Sequence, residues 1–224
     1  MVEKALSIEG GGSPTAGGGA AADDGDIAPF IAAFDDFSAP SLAKFTAACD
    51  AIGGEDAAAL KELWTSGWAA QRQFLVVASK CKKPADKMGV LKATGCVDAV
   101  QSASKAVKRG DWEFHYKAVS EAMNCLNWLM IDGNPREVID AQLEASDYNQ
   151  NKIRIKFKRN TDNFDQNQHD FCDSLKQLLK DLSPYTKAHH MAGVSWNFKG
   201  GDAAAFAGSA AAAAAPAPAA AAKP

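Results

Sequence analysis

Phe171, Leu175, Leu178, Leu182 and Tyr185 return in steps of four and three, the spacing that stacks side chains on one face of an α-helix. The same steps recur at Trp112, Tyr116, Val119, Met123, Leu126 and Met130. Phe30, Phe34 and Phe37, then Leu42, Phe45, Cys49 and Ile52, keep them on either side of Pro40. Leu60, Leu63, Gly67, Gln71, Phe74 and Val77 form a weaker stripe, widened by Trp64 and Trp68. A chain patterned this way hides its apolar surface by packing helix on helix.

Breaks fall between the stripes at Gly53-Gly54, Pro84, Gly110, Gly133-Asn134-Pro135 and Asn160–Asn163. They leave six helices, near 28–52, 55–81, 87–108, 111–130, 135–158 and 163–190. The connections are short enough that sequential helices run antiparallel, so the expected fold is all-α, an antiparallel six-helix bundle with disordered termini. Asp111 before Trp112 and Asn134 before Pro135 supply helix-start chemistry, with Pro135 at the first helical position. Pro184 sits inside the last helix, where it frees the Lys180 carbonyl and kinks the axis. One stretch conflicts with this pattern. Residues 152–159, KIRIKFKR, alternate basic and apolar with period two, as a strand does. A lone strand has nothing to pair with in a helical chain, so the stretch reads as the end of a helix.

Composition bounds the folded part. Residues 1–26 are rich in Gly, Ala, Ser and Asp and read as a flexible leader, because they cannot bury enough apolar surface to offset chain entropy. Residues 201–224 read as an Ala/Pro-rich linker or tail. Alanine is only weakly apolar and Pro216 and Pro218 break any helix there, so no membrane span is expected. The folded body is then 27–200. The start, MVEKALSIEGGG, lacks the apolar region of a signal peptide. Cys49, Cys81, Cys96, Cys125 and Cys172 are widely spaced with no CxxC pair, which fits core thiols in a reducing cytoplasm better than zinc ligands or disulfides. A net charge of −3 lacks the basic excess that nucleic-acid binding needs.

Signatures of catalysis are missing from the sequence: no GxxxxGK[ST], no strand-led GxGxxG, no GxSxG and no ExxH pair. Asp165 and His169 share a helix face, although one such pair is usually a solvated face rather than a metal site. His189-His190, near the end of the last helix, suits the negative end of the macrodipole better than general-base work. The expectation is a binding domain, not an enzyme, with no cofactor and no metal. The basic run 152–159 reads first as a solvated face and second as a contact for an anionic protein. Trp64, Trp68 and Trp112 lie on helical stripes and look like core, whereas Trp128 and Trp196, beside helix ends, are interface candidates or buried anchors.

Several blocks are specific enough to compare with a known family. The segment Tyr185-Thr-Lys-Ala-His-His-Met-Ala-Gly-Val-Ser-Trp196 resembles the closing segment of the N-terminal helical domain of the cyclase-associated protein family. FLVVASKCKKPADKMGVL (74–91) is similar to that family's second-to-third helix junction. Arg109-Gly110, Ala118-Val119-Ser120-Glu121 and Asn127-Trp128 match its fourth helix in order. Ala145, Asn151-Lys152 and Phe157-Lys158 match its fifth, and Pro29-Phe30 and Ile52-Gly53-Gly54 its first.

The resemblance spans about 28–200 and implies a six-helix bundle. It also implies a cytoplasmic, cytoskeleton-associated role with cofilin (ADF) at the pointed ends of actin filaments, speeding loss of subunits. The matched residues that are polar or end helices imply the partner surface: Arg109, Gly110, Asn134, Pro135, Asn151, Lys152, Lys187, His190 and Trp196. Actin is acidic, so Arg109, Lys152 and Lys187 give charge complementarity. Adenylyl cyclase contact is not carried over, because the leader lacks the family's heptad segment. Profilin binding is not carried over either, because the tail lacks long proline runs. Self-association is left open, and the family's WH2 segment and C-terminal β-domain are not in this sequence. The rival reading is a helical adaptor whose groove takes a partner helix or peptide.

Overall fold

The computed structural model describes residues 28–207. Within them lie α1 (Pro29–Ile52), α2 (Gly54–Lys80), α3 (Lys87–Ala93), α4 (Cys96–Lys105), α5 (Glu113–Met123), a 3-10 helix (Asn124–Met130), α6 (Arg136–Lys156) and α7 (Gln166–His189). Among the described residues there is no strand, only the isolated bridges Cys81–Gly201 and Met191–Gly193. The leader 1–26 and most of the tail fall outside the described residues.

The all-helical expectation holds, but two of the six expected helices are divided. The third breaks where the Thr94 hydroxyl bonds back to the Val90 carbonyl at 2.9 Å and Gly95 turns the chain at φ 82°. The fourth tightens after Met123 into the 3-10 helix, whose three-residue repeat sets Cys125 over Trp128 and Leu126 over Leu129, all four buried. Helix starts also shift. Asp111 does not begin α5: it stays in the exposed turn and pairs with Lys156 at 3.0 Å. Asn134 Oδ1 accepts the Arg136 N–H at 3.1 Å, and the Pro135 backbone is already helical, its carbonyl taking the Ile139 N–H at 3.2 Å. Asp165 caps α7 by accepting the Asn167 N–H at 2.9 Å. The strand-like run 152–159 is helical to Lys156, and α7 runs through Pro184 to His189.

Paired side chains fix how the helices lie. Arg72 forks onto Asp35 with two 2.7 Å bonds while Lys61 meets Asp50, so α1 and α2 are antiparallel. Ring contacts Phe30–His190, Phe34–Tyr185 and Phe45–Phe171 make α1 and α7 antiparallel too. Arg154–Asp173 and Lys176–Asp147 do the same for α6 and α7, as Ser146 to the Ala118 carbonyl and Lys156–Asp111 do for α5 and α6. Phe34, Phe45, Trp64, Trp68 and Phe171 form the centre of the core. All five cysteines are free and buried, and burial pushes the Cys49, Cys96, Cys125 and Cys172 thiols up to about 12. Packing continues past Gly200: Ala203 and Ala207 are buried, and Asp202 Oδ1 accepts the Ala205 N–H at 2.8 Å.

Candidate partner-binding surfaces

The expected contact residues fall at opposite ends of the molecule. Asn134, Pro135, Lys187, His190 and Trp196 lie at one end, with the last turns of α2 and α7. Arg109, Gly110, Asn151 and Lys152 lie at the other, beside the start of α5. Asn134 and Asn151 bracket most of α6, roughly 25 Å at 1.5 Å per residue. A single contact patch does not contain them all.

The first end is built by the closing segment 190–201. A helix C-terminus leaves carbonyls without intrahelical donors, and this segment supplies the donors for α2. The Asn197 N–H reaches the Ala78 and Cys81 carbonyls at 3.0 and 3.1 Å, and the Gly201 N–H reaches that of Lys80 at 3.2 Å. The approach is so close that a Cβ on Gly200 would stand 2.2 Å from the Lys80 oxygen. Gly193 also lies tightly against the Ile131 carbonyl, where a Cβ would stand 2.5 Å from the oxygen, which brings the approach to α6 to the same place. Lys87, itself buried, donates to the Met130 carbonyl at 3.0 Å and to Asp132 at 2.6 Å.

His190 lies inside this end at 1% exposure, ringed by Phe30, Trp128 and Tyr185. Its Nδ1 accepts the Ser195 N–H at 3.1 Å, so the proton sits on Nε2 and is donated to the Tyr185 hydroxyl at 3.0 Å. Burial, then the neighbouring His189, lowers the His190 pKa to about 4. The macrodipole reading of His190 is thereby corrected, because a neutral ring brings no charge to the helix end. Pro135 is buried and Trp196 is half-buried edge-on to Phe74, while Lys187 and Asn134 are exposed. Trp128 is fully buried and is a core anchor.

At the second end all four expected residues are exposed. Gly110 opens the turn into α5, its carbonyl accepting the Glu113 N–H at 3.1 Å. Asn151 Oδ1 accepts from Arg154 at 3.3 Å, and the Lys152 ammonium lies 5.3 Å over the Tyr148 ring. Sequence reasoning missed Tyr148 and Ile155, which are 64% and 68% exposed on the same helix. Their seven-residue spacing was the available signal, hidden because Ile155 sits within the strand-like alternation.

His115, His169 and Asp165 are engaged in structure. His169 Nε2 donates to the Phe157 carbonyl at 2.7 Å and Asp165 is a helix cap, so the pair is not poised for a metal. Among the described residues no group of three metal-ligating side chains exists. His115 donates to Gln168 Oε1 at 2.6 Å, and burial brings its pKa to about 4. A hollow of about 660 Å³ between α1 and α7 is lined by residues such as Lys44, Ala48, Asp170 and Gln177, with no histidine or cysteine among its lining. Among the described residues no helix is long and apolar enough to cross a membrane.

These features define an all-helical domain in which buried hydrogen bonds of His190 and Lys87 tie one end together, while the exposed candidate contacts lie on helix ends and outer faces. Residues 34–194 match the family described as "CAP, N-terminal domain", and the chain belongs to that family. It is 29% identical over 186 residues to the cyclase-associated protein 1 of Arabidopsis thaliana, covering 79% of this chain and 38% of that one. It is 26% identical over 188 residues to the human adenylyl cyclase-associated protein 1, covering 81% and 38%. The chain thus spans under two-fifths of these relatives. Two solved structures share the fold. One is a crystal structure of the N-terminal domain of CAP described as indicating variable oligomerisation (TM-score 0.65, 22% identity, 80% of this chain and 95% of that one). The other is the N-terminal domain of the Dictyostelium discoideum protein (TM-score 0.63, 23% identity, 77% and 97%).

Proposed function

We propose that this domain regulates actin filaments in the cytoplasm, acting with cofilin at pointed ends to promote subunit dissociation. The observation that carries the reading is the family match across nearly the whole described body. The architecture suits the task. An accelerator of subunit loss needs no catalytic group, but it must bind the departing subunit arrangement more tightly than the resting one. A preference of about 3 kcal/mol gives on the order of a hundredfold acceleration. A bundle closed at one end by backbone bonds and filled with aromatic rings loses little freedom on docking, so more of its contact energy is available for that preference.

The test is the shortening of single cofilin-decorated filaments with and without the chain. Faster pointed-end loss is expected, and an Asn151→Ala/Lys152→Ala variant is expected to keep its fold and act more weakly. No enrichment with filaments in cosedimentation would replace this reading with that of an adaptor for some other partner. Unchanged disassembly by the double variant would remove those two residues from the site.

A further inference from the structure

The outer face of α6 carries apolar side chains that the bundle does not use. Ile139, Ser146, Asn149, Gln150 and Ile153 are buried and mark the inner face. At about 100° per residue, Tyr148 and Ile155 fall on the opposite side, one above the other two turns apart. They stand at 64% and 68% exposure in the middle of the face that a surface helix ordinarily keeps polar. Ile155 is also what gives 152–159 its strand-like alternation. Ile153 answers to the core; Ile155, two residues on, points away from it.

The charge on this ridge is equally one-sided. Residues 148–159 contain five basic residues and no acidic one, in a chain whose net charge is −3. Arg154 is matched by Asp147 and Asp173, and Lys156 by Asp111. Lys152, Lys158 and Arg159 have no carboxylate partner among the described residues. Lys152 stacks over Tyr148, and Arg159 reaches only the Gln166 amide oxygen at 3.4 Å. Apolar anchors beside unmatched cations suit an acidic partner: the anchors hold it, and the cations steer it and set its register.

We infer that the ridge Tyr148–Lys152–Ile155 of α6 is where the cofilin–actin filament is gripped, seating an acidic segment whose apolar side chain lies between Tyr148 and Ile155. This rests on the actin reading above and assigns the contact to one end of the bundle, leaving the closing segment as scaffold.

Cosedimentation of the whole chain with cofilin-decorated actin filaments tests it. Tyr148→Ser/Ile155→Ser removes only exposed groups, so circular dichroism and melting are expected to match the parent while affinity falls about tenfold or more. Lys152→Glu/Lys158→Glu is a second, independent probe, expected to weaken binding more at low salt than at high salt. Met191→Ser/Phe198→Ser, altering exposed side chains of the closing segment, is expected to leave affinity within about twofold of the parent, on the same scale. Parent binding with an unaffected Tyr148/Ile155 variant overturns the ridge and leaves the actin reading standing. A larger loss from the Met191/Phe198 variant also overturns it. Absence of parent binding overturns the actin reading and the ridge together.

Discussion

The Nε2–H of His190 donates to the Tyr185 hydroxyl at 3.0 Å, and that hydroxyl donates in turn to the Phe30 carbonyl at 3.1 Å. The relay joins the last two turns of α7 to the first turn of α1, with Tyr185 and Phe30 155 residues apart in sequence. The Ser195 N–H on His190 Nδ1 brings in the closing segment. The relay needs the neutral ring, because a proton on Nδ1 would displace the Ser195 N–H from its acceptor.

Stability is therefore expected to depend on pH. His190 and His115 are each lowered from 6.5 to about 4, burial being the main cause in both. His115 Nδ1 is buried with no partner, so protonating it places an unmet donor in the core. Between pH 6.5 and 4 the unfolded chain binds more protons than the folded one, so stability rises with pH across that window. It falls as the solution is acidified, with no further histidine loss below about pH 4. Each histidine accounts for about 3 kcal/mol over the full window. Asp56, Glu113 and Asp132, held low by lysine partners, add their loss at the acid end, so the histidine part is read between pH 7 and 5. Urea midpoints should drop over that interval, and His190→Gln should flatten the drop by about half, its share of two equal terms. A flat parent profile would contradict neutral buried histidines.

Two neighbouring glycines should behave oppositely. A Cβ on Gly200 would meet the Lys80 oxygen at 2.2 Å, whereas one on Gly201 would meet nothing within 4 Å. Gly200→Ala forces the closing segment off the end of α2 and strips the donors from its last carbonyls. The expected cost is on the order of 2–3 kcal/mol, against about 0.5 kcal/mol or less for Gly201→Ala. Thermal melts of the two variants side by side check this, and equal melting temperatures would mean the segment does not cap α2.

How much of this was legible beforehand follows from the range of the interactions. Helices with an apolar stripe, such as 171–185, declare themselves because burial and helical period coincide. The 3-10 helix did not, since its buried pairs at 125/128 and 126/129 also fit an α-helical stripe. Lys152 was found as a charged residue at a matched position, but Tyr148 and Ile155 were not. Their seven-residue spacing places them on one face, but whether that face points outward is fixed only when the helix is placed against its neighbours. His190 was misread for the same reason. The macrodipole is a property of its own helix, whereas its burial depends on Phe30 and Trp128, far away in the chain.

Gln71 joins what the periodicity shows with what it hides. It fell on the apolar stripe of α2 as its one amide, and it is indeed fully buried, one turn beyond Gly67 and Trp68. Neither its amide nitrogen nor its amide oxygen has a hydrogen-bond partner. Burying an unmatched amide costs about 1–3 kcal/mol, which a methionine of nearly equal length would not incur. Gln71→Met is expected to stabilise the fold by about 1–2 kcal/mol, since volume-conserving exchanges disturb packing little. For a domain of this size that is a rise in melting temperature of roughly 2–8 °C. A calorimetric scan would register it. A fall instead would mean that the amide is matched after all, and that α2 needs it for its register against the core.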